Sequence, residues 1–495
     1  MPSFLSELRC TQCGKRYAPK IYVSACSSCN GVLEAIYALE KISEEITPAD
    51  LEHRIPGVWK YSELLPLSSE FHIVSLGEGG TFLHRCERLA KRIGLQNLYL
   101  KDETTNPTGA FIDRGTTVEV SKVSESRLRS VCCGTTGNLA ASLAAYAARA
   151  GLKCKVFIPQ RVDMGKFYQI IAYGADIEIT RDREEAVEKA NMESGNSHLV
   201  MPHNPYFLEG EKTTAYEISE QLSWILPDQI VVPMGNGSHL SMIWKGINEL
   251  YDIGFLKEKD VRLVGTQAEG CAPIVEAVKK DESKIVPAAK ISTIAIDIGV
   301  KAPSCGFMAL KAIRESKGTA ISVSDKEIVD AVNLLAKFEG IFAEPASATT
   351  IAGLKKLVEE GEIDASDRVV CVITGMGLKY PEVTKNLIKG RKKLEELLRQ
   401  VEKRKYGIAL GETKLRVLRI ISRKESYGYE IWRALGGLGV KMKIPSVYQH
   451  LTGLEDADLI IRSKSEQVLK KPERHYYKLT ERGRVVLRRS ETLEA

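Results

Sequence analysis

The sequence predicts an α/β protein built on doubly wound parallel sheets, with a zinc ribbon at the N-terminus and a winged helix-turn-helix at the C-terminus. Three observations carry this expectation. Short apolar runs alternate with Gly-rich turns and Ala-rich helical stretches through residues 71–385. Four cysteines stand as two Cys-x-x-Cys pairs within residues 1–38. A basic block closes the chain: residues 391–495 hold 25 Lys+Arg against 14 Asp+Glu, leaving 45 against 50 for the rest. The net charge of +6 therefore hides a basic module on a mildly acidic body, the asymmetry of an attached nucleic-acid-binding unit.

With 495 residues, 44% hydrophobic and 27% charged, the composition excludes wholesale disorder and fibrous or coiled-coil classes. Four segments are expected: a zinc-ribbon-like segment 1–38, a body 39–385 whose residues 39–70 read as a bridge, an amphipathic linker helix 386–405, and a DNA-binding domain 406–495. No run of 18 apolar residues is present, so no spanning helix is expected. The start, Met1–Glu7, lacks the charged end and apolar core of a signal peptide. Eleven cysteines are too few to scaffold so long a chain, which points to a reducing, cytoplasmic setting.

At the N-terminus, Cys10 and Cys13 are followed twelve residues later by Cys26 and Cys29. Gly14 and Asn30 follow the pairs, where tight knuckle turns need permissive residues. Four thiolates on two such turns predict a closed, structural tetrahedral zinc site, with no open position for catalysis. The other seven cysteines read as small buried hydrophobes.

In the body, strands are predicted at Asn97–Leu100, Arg129–Cys133, Lys155–Ile158, Asp176–Ile179, Gln229–Val232, Leu263–Thr266 and Val369–Ile373. Gly137–Gly151 reads as a helix with a glycine stop. Gly235-Asn236-Gly237-Ser238 lies between a predicted strand and a helical stretch at Leu240–Leu250. Backbone N–H groups can converge on a phosphate at such a turn.

Residues 101–115, Lys-Asp-Glu-Thr-Thr-Asn-Pro-Thr-Gly-Ala-Phe-Ile-Asp-Arg-Gly, carry a more specific signal. With Ser75–Thr81, Thr135–Asn138, Gly235–Leu240, Gln267–Pro273, Gly340–Ala348 and Thr374–Lys379, they resemble the threonine synthases, fold-type II pyridoxal-phosphate enzymes with a two-lobed, tryptophan-synthase-like fold. The resemblance runs through most of residues 1–385. It implies that Asn138 stands beside the cofactor ring oxygen, that Gly235, Asn236, Gly237 and Ser238 surround its phosphate, and that Thr374 faces its ring nitrogen. It also implies that Thr135, Thr136 and Gly137 take a substrate carboxylate.

The family's Schiff-base lysine stands between Phe and Asp-Arg-Gly, where this chain has Ile112. Isoleucine has no nitrogen to anchor the cofactor and no proton to transfer. Lys101 lies on a different predicted element and is not expected to replace it. Ala110, His239, Met376 and Tyr380 depart from the family's Ser, Asn, His and Asp. No residue is therefore assigned a catalytic role, and pyridoxal phosphate is expected to be held non-covalently if at all. His239 reads as a pocket wall.

The amphipathic connector has apolar positions Leu387, Leu394, Leu397, Leu398 and Val401. Beyond it, Thr413–Ser422, with Thr413 as N-cap, Tyr427–Leu435 and Pro445–Glu455 read as three helices. Leu459–Arg462 and His475–Leu479 read as a hairpin with Lys464, Lys470, Lys471 and Arg474 towards its tip. The segment resembles the PadR group of transcription regulators through Tyr427–Ile431, Ser446–Tyr448 and Tyr476–Gly483. Ser446, Tyr448, Gln449 and His450 are expected to reach base edges or phosphates from the third helix, with core as the alternative place for Tyr448. Lys470, Lys471 and Arg474 are the expected phosphate contacts. Tyr429 and Trp432 read as core.

The expected function is a homodimeric DNA-binding transcription regulator on a catalytically inactive body that senses an amino-acid or phosphate-bearing metabolite. The alternative is an active threonine synthase or related lyase with a DNA-binding appendage.

Overall fold

Runs rich in Val, Ile and Leu become strands buried on both faces, as parallel strands covered by helices require. A computed structural model describes residues 3–19, 24–135, 137–381, 392, 394, 397–398, 410–467 and 474–492. It divides into two compact units, Met1–Leu387 and Ile388–Ala495.

In the first unit, β1 (Leu5–Cys10) pairs antiparallel with β2 (Arg16–Tyr17) and β3 (Leu33–Tyr37). Gly14 and Asn30 adopt positive φ, 72° and 56°, as the knuckle reading requires. Residues 39–70 are not a bridge. Ile42, Leu51, Tyr61 and Leu64 pack with Ile230, Leu240 and Ile243 in one cluster, so the segment is part of the body's core.

Two sheets form the body. The larger runs β12 (Thr319–Val323), β11 (Arg262–Ala268), β10 (Gln229–Pro233), β13 (Arg368–Ile373), β5 (Asn97–Asp102), β4 (Phe82–Arg85); it is parallel except for β4. The smaller runs β8 (Asp176–Thr180), β7 (Lys153–Pro159), β6 (Ser130–Gly134), β9 (His198–Leu199), all parallel. All seven predicted strands are present. β4, β9 and β12 are additional: β4 is largely exposed, β9 has two residues, and β12 lies within a polar stretch. Helices Ile112–Glu125, Asn138–Ala150 and Ser238–Asp252 follow turns beyond the C-terminal ends of β5, β6 and β10. This is where ligands gather in such folds.

The second unit is a winged helix. Helices Glu412–Arg423, Gly428–Gly437 and Ile444–Glu455 pack through Val417, Leu418, Ile431, Leu435, Val447, Leu451 and Leu454. The hairpin β15 (Ile460–Glu466) and β16 (Arg474–Leu479) gains a third strand, β14 (Ser426–Tyr427), and helix Glu481–Thr492 follows. Gly411, not Thr413, is the N-cap of the first helix. Tyr429 is not core: it is 48% exposed and leans on Trp432, whose Nε1 donates to Met442 O. The connector expected at 386–405 lies almost wholly outside the described residues.

Close backbone approach locks the body. A Cβ at Gly210 would stand 1.8 Å from Arg114 O, whereas one at Gly195 would meet nothing within 4 Å. Gly210→Ala, although it favours the helix locally, should destabilise the body by about 2–3 kcal/mol. Gly195→Ala should be near neutral. Denaturant unfolding of the two variants checks this, and equal stability would contradict the packing.

Candidate ligand site and nucleic-acid interface

Three turns and one strand end build the site. Beyond β5, the chain turns through Pro107–Ala110 and starts a helix at Ile112, which is 9% exposed and packs with Val74, Leu139 and Phe207. The neighbours of Ile112 are pinned. The Asp113 carboxylate accepts from Thr108 N, Thr108 Oγ1 and Ser142 Oγ at 2.6–2.7 Å. Arg114, fully buried, donates to Glu103 from Nε and Nη2 at 2.6 and 2.8 Å. It donates to Glu217 from Nη1 and Nη2, both at 2.7 Å. Burial pushes Glu217 upward, but Arg114 and Lys101 outweigh it and hold the carboxylate far below its usual range. Lys101 donates to Thr81 O, Glu217 Oε2 and Gln221 Oε1, so its amine is committed to this cluster and cannot serve at 112.

The turn expected to hold a phosphate follows β10. Gly237, at φ 87°, is the N-cap of Ser238–Asp252, and a Cβ there would meet Ala309 Cβ at 2.9 Å. Gly235 approaches the Asp297 and Ile298 backbone as closely. Asn236 Oδ1 accepts from Ser304 N at 2.6 Å, fixing the turn. Ser238 Oγ donates to Glu211, a buried carboxyl that burial pushes up to about 8. His239 stacks on Phe111 at 4.2 Å and meets Thr214 at 3.0 Å. Burial pushes His239 down to about 3, so it is a neutral wall.

The turn after β6 ends in Asn138, the hub of the site. Asn138 Nδ2 donates to Glu344 Oε2 at 3.2 Å and Asp297 Oδ2 at 3.3 Å, and Lys379 Nζ donates to Asn138 Oδ1 at 3.0 Å. Thr374, at the end of β13, shares a hydrogen bond with Ser347 at 2.8 Å and donates to Glu344 at 3.3 Å. Burial and the Asp297 carboxylate push Glu344 up to about 7. Gly137 lies against Lys166, whose Cδ would be 2.4 Å from a Cβ there. Thr135 N donates to Phe157 O. Thr136 lies outside the described residues. Asn138, Gly235, Asn236, Gly237, Ser238, Thr374, Thr135 and Gly137 thus all stand at C-terminal strand ends or the turns beyond them. Sequence reasoning missed Asp297, Glu344 and Lys379 as partners of Asn138, because separations of 159, 206 and 241 residues join them, and missed Lys166 against Gly137. Lys379 was visible only as the last residue of a recognised motif.

These residues fit the phosphate and ring of pyridoxal phosphate: a glycine cradle at a helix N-terminus, an amide and a hydroxyl. The covalent anchor at 112 does not fit, because a hydrocarbon stands there.

At the N-terminus, the Cys10, Cys13, Cys26 and Cys29 sulfurs all lie within 4.8 Å of one another. A tetrahedron with zinc–sulfur arms of about 2.3 Å has edges near 3.8 Å, so the set fits a structural metal. Six of the other seven cysteines are buried, and Cys154 is partly so.

On the winged helix, Val447, Leu451 and Leu454 face the core while Tyr448 and Gln449 are exposed and Ser446 and His450 half-buried. The ring of Tyr448 crosses Gly428. The Arg474 guanidinium lies 4.8 Å over Tyr427 and the Lys464 amine 4.6 Å over Tyr476. Lys470 and Lys471 lie outside the described residues. No helix among the described residues is long and apolar enough to cross a membrane.

Residues 74–375 match the family described as pyridoxal-phosphate dependent enzyme, and residues 417–489 match the transcriptional regulator PadR-like family. A threonine synthase of Methanocaldococcus jannaschii is 46% identical over 76% of this chain and 93% of its own length. One from Methanosarcina acetivorans is 42% identical over 76% and 92%. Among solved structures, a fungal L-serine ammonia-lyase from Rhizomucor miehei superposes with TM-score 0.55 at 22% identity, covering 63% of this chain and 98% of that one. Threonine deaminase isoform 2 of Solanum lycopersicum gives 0.54 at 19%, over 67% and 98%. These two structures show the same fold.

Glu344 and Glu211 give the body a pH dependence. Their folded values, about 7 and about 8, exceed the ordinary 4.5, so the folded chain holds protons that the unfolded chain releases. Their contribution is fully present below about 4.5 and is lost as pH rises to about 8. Glu211→Gln should gain stability relative to the native chain between pH 5 and pH 8. Paired denaturant titrations check this; a constant difference across that range would contradict it.

Proposed function

The chain belongs to the pyridoxal-phosphate dependent enzyme family, and we propose that it acts as a DNA-binding transcription regulator whose body binds an amino-acid or phosphate-bearing metabolite without converting it. The observation that carries this reading is Ile112, which immediately precedes the pinned Asp113 and Arg114 in a body joined to a PadR-like domain. The relatives are threonine synthases, but the position from which their family's lysine would act is hydrocarbon here.

Gly235, Asn236, Gly237 and Ser238 would hold a phosphate by backbone N–H groups at a helix N-terminus. Asn138 would meet the ring oxygen, and Thr374 the ring nitrogen. Thr135, Thr136 and Gly137 would take a carboxylate. Bound pyridoxal phosphate supplies an electron sink for carbanion chemistry. With Ile112, no side chain at that position carries a proton to or from a substrate carbon. Glu344 holds a proton near Asn138, which orients a ligand rather than moving its protons at carbon.

In the winged helix, Ser446, Tyr448, Gln449 and His450 would enter the major groove. Lys470, Lys471 and Arg474 would contact phosphates. A symmetric dimer on two half-sites suits this arrangement. The four cysteines would hold zinc.

Selection of duplexes from a random pool by the full chain should return a defined site. Gln449→Ala should cost about 1–3 kcal/mol on that site and relax its sequence preference. Arg474→Ala should weaken all duplexes alike and reduce the salt slope by about 1. Recovery of unrelated sequences, with both variants alike, would remove the regulator reading. The full chain supplied with pyridoxal phosphate should release no threonine from phosphohomoserine, and release would restore the enzyme reading. Metal analysis should find about one zinc per chain, lost in Cys26→Ser with a drop in melting temperature.

A further inference from the structure

Two lysines lie buried beside Asn138, and they differ in partner. Lys166 Nζ meets Asp297 at 2.8 and 3.0 Å and Asp163 at 3.4 Å, and lies 4.1 Å over the Tyr380 ring. Burial alone would lower its amine, but these carboxylates raise it, so Lys166 stays charged and unreactive. Lys379, at the end of the turn Gly377–Lys379, is 4% exposed. Among the described residues its amine has one hydrogen bond, to Asn138 Oδ1 at 3.0 Å, and no carboxylate within ion-pair distance. Burial pulls Lys379 below the ordinary lysine range, and the more distant Glu344 and Asp113 only partly oppose this.

We propose that Lys379 is the nucleophilic amine of this site and captures the aldehyde of pyridoxal phosphate as an imine, in place of the amine absent at Ile112. Three placements support it. Asn138, which touches the amine, is the residue assigned to the ring oxygen, and in pyridoxal phosphate the aldehyde carbon stands on the ring position next to that oxygen. Lys379 Cε lies 3.4 Å from the Cβ position of Gly109, in the loop that leads to Ile112. Thr374, assigned to the ring nitrogen, is five residues earlier on the same strand-to-turn segment.

In the step itself, the Nζ lone pair attacks the aldehyde carbon and a carbon–nitrogen bond forms. The carbonyl oxygen leaves as water, carrying the two amine protons. No oxidant or reductant is needed. Capture is reversible by hydrolysis, and it replaces the expectation of purely non-covalent holding. It rests on the ligand class proposed above but not on DNA binding.

The test is to incubate the full chain with pyridoxal phosphate near neutral pH, reduce with borohydride, and map labelled peptides by mass. Labelling at Lys379 should exceed that at any other lysine by about tenfold, since the turn Gly235–Ser238 would hold the phosphate and present the aldehyde to its amine. Lys379→Met, shown folded by circular dichroism, should lose this label and no other. Pyridoxal lacking the phosphate should label Lys379 far less, since the cradle at Gly235–Ser238 then has no ligand. A dominant adduct on another lysine, no adduct, or equal labelling by pyridoxal would overturn the proposal. The native-chain peptide map decides the matter even if the variant fails to fold. Failure here would leave site-specific DNA binding intact, so the two readings fail separately.

Discussion

The buried ion cluster around Arg114 is the constraint on which the body depends. Arg114 ties Glu103, at the end of a strand, to Glu217 on a helix more than a hundred residues later, and Lys101 and Thr81 close the ring. All these side chains are at most 4% exposed. Removing one partner would leave a charge uncompensated in the interior, at a cost of about 3–5 kcal/mol. The cluster and the Asp113 hydrogen bonds fix the start of the helix at Ile112 from both directions. The machinery that positions a side chain at 112 is therefore present, while the side chain has no nitrogen.

A second electrostatic centre, around Asn138, decides what the site can still do. Lys166 is neutralised by Asp297 and Asp163, whereas Glu344 and Lys379 sit in low dielectric without close charge partners. Burial shifts both groups towards their neutral forms, raising Glu344 and lowering Lys379. Glu211 beside the turn Gly235–Ser238 is likewise raised by burial.

Much of this was legible in the sequence because the signals are local. Cys-x-x-Cys spacing gave the knuckles, hydrophobic runs such as Gln229–Val232 gave the central strands, and the residues around Ile112 gave the missing amine. The helices of the winged domain were legible from their apolar spacing. What was not legible depended on long-range packing. Residues 39–70 join the core through long-range packing, with Tyr61 against Tyr216 and Leu64 in the same cluster as Ile243. β4, largely exposed, owes its pairing to β5 rather than to an apolar pattern, and β12 is a short apolar run flanked by polar residues. Tyr429 was read as core from its aromatic spacing, yet its helix turns that face outward. Lys379 meets Asn138 across 241 residues of sequence.

A ligand in the body can change DNA binding only if it favours one conformation of the protein over another. The direct test is the affinity of the full chain for its selected duplex, measured at fixed salt with and without saturating pyridoxal phosphate. The account predicts a shift of at least about fivefold, the lower end of typical coupling between sites. Unchanged affinity, with the ligand demonstrably bound, would contradict a sensing body and leave it a scaffold for the DNA-binding unit.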